Sequence, residues 1–96
     1  MFKVADHQEA PNELILTIEG ASPAEIISRQ ARDFAYQARH QYGFSEAGIE
    51  SAGGPYPINK NTGNVVGPNN IDSQTKEAVA QKDIAFRKQF KLQRPL

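Results

Sequence analysis

Ser22-Pro23-Ala24-Glu25, followed by Ile26 to Gly43 (IISRQARDFAYQARHQYG), carries a helix start signal and a matching stop. The Ser22 hydroxyl can accept the backbone N–H of Glu25 while the Glu25 carboxylate reaches back to Ser22, a capping box. Pro23 occupies the first helical position, where a missing N–H costs nothing. Ile27, Ala31, Phe34, Ala35, Ala38 and Tyr42 then recur at offsets of 4, 7, 8, 11 and 15, one face of a 3.6-residue repeat. Gly43 supplies the left-handed residue that ends such a helix. The stretch predicts a first helix over 22–43 with one face that must be buried.

On its N-terminal side, residues 1–20 read as a strand region. Leu14-Ile15-Leu16-Thr17-Ile18-Glu19 is β-branched and apolar, places Leu14, Leu16 and Ile18 on one face, and stops at Gly20. It is expected to be the central strand, with a hairpin to residues 2–5 and a turn over His7–Asn12 around Pro11.

On the C-terminal side, residues 44–71 hold Gly48, Gly53, Gly54, Pro55, Pro57, Gly63, Gly67 and Pro68 besides several asparagines. That composition pins turns and resists helix. It predicts an irregular segment, or a short hairpin of Tyr56–Lys60 with Asn64–Val66 around Asn61-Thr62-Gly63. Pro57 would confine that hairpin to an edge. A second helix is expected over 72–93, opened by Asp72 or Ser73 and closed by Pro95. Val79, Phe86 and Phe90 would form its narrow apolar seam, at offsets of 7 and 11. The expected fold is α+β: a small antiparallel sheet or hairpin packed on two long helices, with the Gly/Pro/Asn-rich segment between them.

Ninety-six residues make one domain with a thin core. Hydrophobic residues are 39% and charged residues 23%, and the mean hydropathy is −0.59. No cysteine is present, which removes disulfides, thiol catalysis and cysteine-ligated zinc together. No apolar run approaches the roughly 18 residues of a membrane span, and no signal-peptide core stands at the N-terminus. The expectation is a soluble, cytoplasmic protein, in its own cell or in a host cell, without membrane contact. The formal charge is zero but unevenly spread. Residues 1–25 set five carboxylates against Lys3, whereas residues 72–96 set six cations against three carboxylates.

Catalytic and metal patterns are lacking. His7 and His40 are the only histidines, and His40 has Tyr36 and Phe44 at the positions four residues away where a second ligand would stand. No serine sits in a nucleophile-elbow context, and no spacing brings two carboxylates into one cleft. The chain is read as non-enzymatic, with no cofactor and no metal.

The surface of interest is a stripe of Arg29, Arg32, Tyr36 and Arg39, at offsets of 3, 7 and 10 on the first helix. Guanidiniums with an interleaved aromatic ring grip acidic side chains or phosphates. The competing expectation is a solvated stripe with Glu25–Arg29 and Arg29–Asp33 pairs, each worth about 0.2–0.5 kcal/mol. Arg87 and Lys91 could extend the positive surface, Tyr56 could anchor a partner, and Phe86 and Phe90 could mediate homo-oligomerisation. These features predict a small protein–protein interaction protein. Its size and make-up fit an accessory protein of a virus, phage or mobile element, acting as an inhibitor, adaptor or particle component. The alternative is nucleic-acid binding through the arginine stripe and the basic C-terminal segment, against which a pI of about 6.7 stands.

Overall fold

In a computed structural model that describes residues 1–96, strands dominate. β1 (Lys3–Ala10), β2 (Glu13–Gly20), β3 (Gly48–Ser51), β4 (Tyr56–Asn59) and β7 (Ile84–Gln93) form one antiparallel sheet, and β5 (Val66–Gly67) pairs with β6 (Ile71–Asp72) in a second. Helix is confined to α1 (Pro23–Ile26) and α2 (Arg29–Ala38), the latter prolonged by a 3-10 turn at Arg39–Tyr42. The expectation of two long helices packed on a small sheet is therefore wrong. The chain is mostly β, with a single helical layer.

The largest correction concerns residues 72–93. Asp72 does accept the backbone N–H groups of Gln74 and Thr75, at 2.8 and 2.9 Å, as a helix cap would. No helix follows, because Lys76 takes a left-handed conformation at φ 64 and turns the chain away. The last ten residues of the supposed helix are strand β7. Ile84, Phe86, Lys88, Phe90 and Leu92 alternate onto one face, and the charged Lys88 in the middle hides this period of two. The proposed Val79/Phe86/Phe90 helical seam does not exist. Val79 lies in a loop, in a small apolar cluster with Val66 and Ile84 against which Phe86 packs, and Phe90 belongs to the main core.

β7 is the spine of the sheet. β2 pairs along its whole length, from Glu13↔Gln93 to Gly20↔Phe86. β3 and β4 share its other side, β3 beside residues 90–93 and β4 beside residues 84–87. β1 pairs with β2 and extends further than expected. The turn is only Pro11-Asn12, since His7–Ala10 continue the strand as an exposed, polar edge.

The first helix is also shorter than its signals suggested. Ser22 caps α1 through the Glu25 N–H, but Glu25 does not reach back; its carboxylate meets the amino terminus instead. The chain breaks at Ile27, which is 60% exposed, and Ser28 caps α2 by accepting the N–H of Ala31. Gly43, at φ 79, ends the helical segment. Ala31, Ala35 and Ala38 present a small-residue face that lets α2 lie close on Leu14, Leu16, Ile18, Phe90 and Leu92, with Ile26 and Phe44 closing the ends. Burying each large side chain there contributes about 1.5–3 kcal/mol. All of this core lies on one side of the sheet. No helix of the chain is long and apolar enough to cross a membrane.

Candidate functional site

The pleat that sends Leu14, Leu16, Ile18, Phe90 and Leu92 under the helix sends their neighbours to the opposite face. There the cross-strand pairs are Glu13↔Gln93, Ile15↔Lys91, Thr17↔Gln89 and Glu19↔Arg87, flanked by Asp6 and Gln8 of β1 and by Glu50 and Tyr56 of β3 and β4. No element of the chain packs over this face.

Most of its charges are engaged with one another. Arg87 Nε donates to Glu19 Oε1 at 3.1 Å, and Lys3 Nζ lies 3.6 Å from the other oxygen of the same carboxylate. Lys91 Nζ sits between Glu13 and Glu50, at 3.6 Å from each. Between these pairs runs a groove of about 390 Å³ lined by Asp6, Gln8, Thr17, Tyr56, Arg87 and Gln89, with Ile15 also on its wall. Gln89 Nε2 donates to the Tyr56 hydroxyl at 3.0 Å across the floor.

Ala52 and Gly53 also line the groove, and Gly54 follows them. The chain passes from β3 to β4 hard against β7, where the Ala52 N–H donates to the Gln89 carbonyl at 3.0 Å and the Gln89 N–H to the Gly53 carbonyl at 2.8 Å. A Cβ on Gly53 would stand 2.5 Å from Gln89 Oε1. Gly54 adopts φ 93, and a Cβ there would lie 2.6 Å from the Arg87 carbonyl oxygen. Gly54 therefore lets the chain pass close to the β7 backbone, whereas at Gly53 the crowding atom is only the end of the Gln89 side chain.

Each outer edge of the sheet carries one side-chain hydrogen bond to its backbone. On β1, Ala5 stands unpaired in a bulge, and Asp6 Oδ1 accepts the His7 N–H at 2.8 Å. On β3, Arg32 Nη2 donates to the Ile49 carbonyl at 2.9 Å. Bulges and polar side chains of this kind block strand addition. Each edge is guarded at one point, and the face is open.

The arginine stripe is divided among different tasks. Arg29 is exposed and Arg32 holds β3. Arg39 is 7% exposed, donates to the carbonyls of Tyr36 and Ser45, and lies 3.6 Å over the half-buried Tyr36 ring. Of the remaining candidates, Tyr56, Arg87 and Lys91 come together on the open face, whereas Phe86 and Phe90 point to the opposite, helix-covered side. Asp6, Gln8, Thr17 and Gln89 were missed, because their grouping depends on β1, β2 and β7 being neighbours.

Beside the face, residues 59–79 form a lobe built on Asp72. Its carboxylate is fully buried and accepts Thr62 Oγ1 at 2.7 Å, Asn59 Nδ2 at 2.8 Å and Asn64 Nδ2 at 3.1 Å, besides the two backbone amides. These hydrogen bonds, that from Thr62 foremost and that from the Thr75 amide next, hold the carboxyl well below the usual carboxylate range, against the opposing effect of burial. No cation touches Asp72; neutral donors satisfy it. No group of three or more His, Asp or Glu side chains is placed to hold a metal ion.

Comparison with protein-family models gives no match, and no curated protein and no solved structure matches the chain significantly.

Proposed function

We propose that the chain is a small, non-enzymatic binding module that engages another protein through the uncovered face of its sheet. The observation that carries this reading is the asymmetry of the fold. One face is sealed by α2 and each outer edge carries one side-chain guard, yet the other face, with its groove, is covered by no helix. Tyr56, Arg87 and Lys91 belong to this surface. The stripe of Arg29, Arg32, Tyr36 and Arg39 is not its centre, since two of its arginines are spent on internal contacts.

Matched charges favour a protein partner over nucleic acid. Phosphate binding draws on cations free to displace counterions. Here Arg87 and Lys91 already face Glu19, Glu13 and Glu50. A partner with complementary polar groups can exchange with such pairs at an interface rim.

Photo-crosslinking in cells that make the protein tests the assignment. A photoreactive residue at Gln8 or Gln93, on the open face, is expected to give one and the same adduct. The same residue at Gln30 or Gln37, on the outer side of α2, is expected to give none. Adducts formed only from the helix, or equally from both sides, would overturn the reading.

A further inference from the structure

We infer that the groove on the open face is a binding site for a neutral, hydroxyl-rich ligand of the saccharide class. This site goes beyond recognition of a protein partner and does not depend on it.

The inference starts from the groups that remain unpaired. Thr17 lines the groove, and its hydroxyl, which makes no hydrogen bond within the protein, is open to it. Around it, the Tyr56 hydroxyl accepts from Gln89 and keeps its own hydrogen to donate. Gln89 retains its amide oxygen and one N–H, and the Gln8 amide is unengaged. Asp6 keeps one carboxylate oxygen after the other accepts the His7 N–H. Arg87 uses Nε on Glu19, leaving its terminal nitrogens as donors.

Charge then narrows the ligand. The groove wall carries one carboxylate, Asp6, and one guanidinium, Arg87, the latter already facing Glu19. With Lys3 also beside Glu19, two cations stand against two carboxylates around the groove, so net charge selects neither an anion nor a cation. What the wall presents is a pure acceptor, a pure donor and four groups able to act as either, within one groove. Hydroxyls answer all three kinds, because each both donates and accepts. Adjacent hydroxyls on a ring can engage the two atoms of an amide or a guanidinium together. Ile15 and the Tyr56 ring supply apolar surface for the C–H side of such a ring. A volume of about 390 Å³ lies within the range of small-ligand sites.

Titration of the 96-residue, ¹⁵N-labelled chain with neutral mono- and disaccharides, glucose, galactose, maltose and chitobiose, tests the assignment by NMR. Saturable shifts are expected from at least one of them, centred on the backbone amides of Thr17, Gly53, Tyr56 and Gln89. Gln8→Ala, an exposed substitution on β1 that leaves the core intact, is expected to weaken that binding about tenfold. Thr17→Val, close in shape, is expected to weaken it similarly, with an unchanged amide spectrum elsewhere certifying the fold. Glucuronate is expected to bind no more tightly than glucose. Absence of saturable shifts for the whole panel, shifts centred away from the groove, or a clear preference for the charged sugar would each overturn the assignment. None of these outcomes bears on the crosslinking test of a protein partner.

Discussion

Arg32, on the exposed side of α2, donates from Nη2 to the backbone carbonyl of Ile49 at 2.9 Å, so a helix side chain closes the open edge of β3. Asp6 does the corresponding work on β1 by accepting the N–H of its neighbour His7 at 2.8 Å. An antiparallel sheet with free edges is a template for further strands. Here the two edges are stopped by two different devices, one an acceptor over an N–H and one a donor over a C=O.

Removing either device should expose the sheet to its own copies. Asp6→Val is expected to raise the average mass in light scattering as concentration increases, and Arg32→Ala to do so more weakly, because β3 is only four residues long. The wild-type chain is expected to show less concentration dependence under the same conditions. Equal scattering from all three proteins would mean that these contacts do not guard the edges.

Phe90 is 2% exposed in the main core, opposite Leu16 on β2 and Ser51 on β3. Phe90→Ala should cost about 3–5 kcal/mol in urea denaturation, a large part of the roughly 5–15 kcal/mol available to a domain. Lys91→Ala, one residue along and on the open face, should cost less than about 1 kcal/mol. Comparable losses from the two would contradict the sidedness of β7.

The Asp72 carboxyl has a folded pKa below its unfolded value of about 3.9. Its contribution to stability is therefore present above about pH 4 and is lost as the pH falls from there toward the folded value. Acid titration followed by NMR should show the lobe around Asn59, Thr62 and Asn64 losing its fixed shifts below about pH 4. Asp72→Asn, which cannot accept all five donors as a carboxylate does, should remove this acid transition and lower the melting temperature at neutral pH. A wild-type lobe that stayed ordered to the lowest accessible pH, or an Asn variant that kept the same acid transition, would contradict the role given to the charge.

Glu19 and Arg87 form a cross-strand ion pair whose side chains are 12% and 23% exposed. A double-mutant cycle with Glu19→Gln and Arg87→Gln should give a coupling of about 1 kcal/mol or less, decreasing as salt is added. A coupling of zero at low salt would show the pair to be only geometric.

Local signals were legible in the sequence where they are decided by a few adjacent residues. Ser22 caps a helix, Pro23 opens it, Gly43 ends the helical segment in a left-handed conformation, and Leu14, Leu16 and Ile18 face the core. The failures share one cause. Phe86 and Phe90 are four apart, which suits a helix face, but also an even number apart, which suits a strand face. Only pairing with β2 decides between them. Lys88 sits at the buried position between the two, its chain along the core and its ammonium 5.4 Å from the centre of the Phe90 ring, so the alternation reads as broken when it is not. Ser28 similarly interrupts one apparent helix and caps a second, because the periodicity of Ile27 with Ala31 is accidental. The open face was illegible for the same reason. Tyr56, Arg87 and Lys91 were singled out separately, and the register of β7 against β2 and β4 is what unites them with Asp6, Gln8, Thr17 and Gln89.

That register can be read at one point. Gln89 directs its backbone N–H and C=O to Gly53 and Ala52, so it faces Thr17 as a non-hydrogen-bonded pair with their α-hydrogens turned toward each other. A NOESY spectrum should show a strong cross-peak between the α-protons of Thr17 and Gln89. Its absence, with medium-range contacts from Gln89 to Leu92 in its place, would put residues 84–93 in a helix and dissolve the open face.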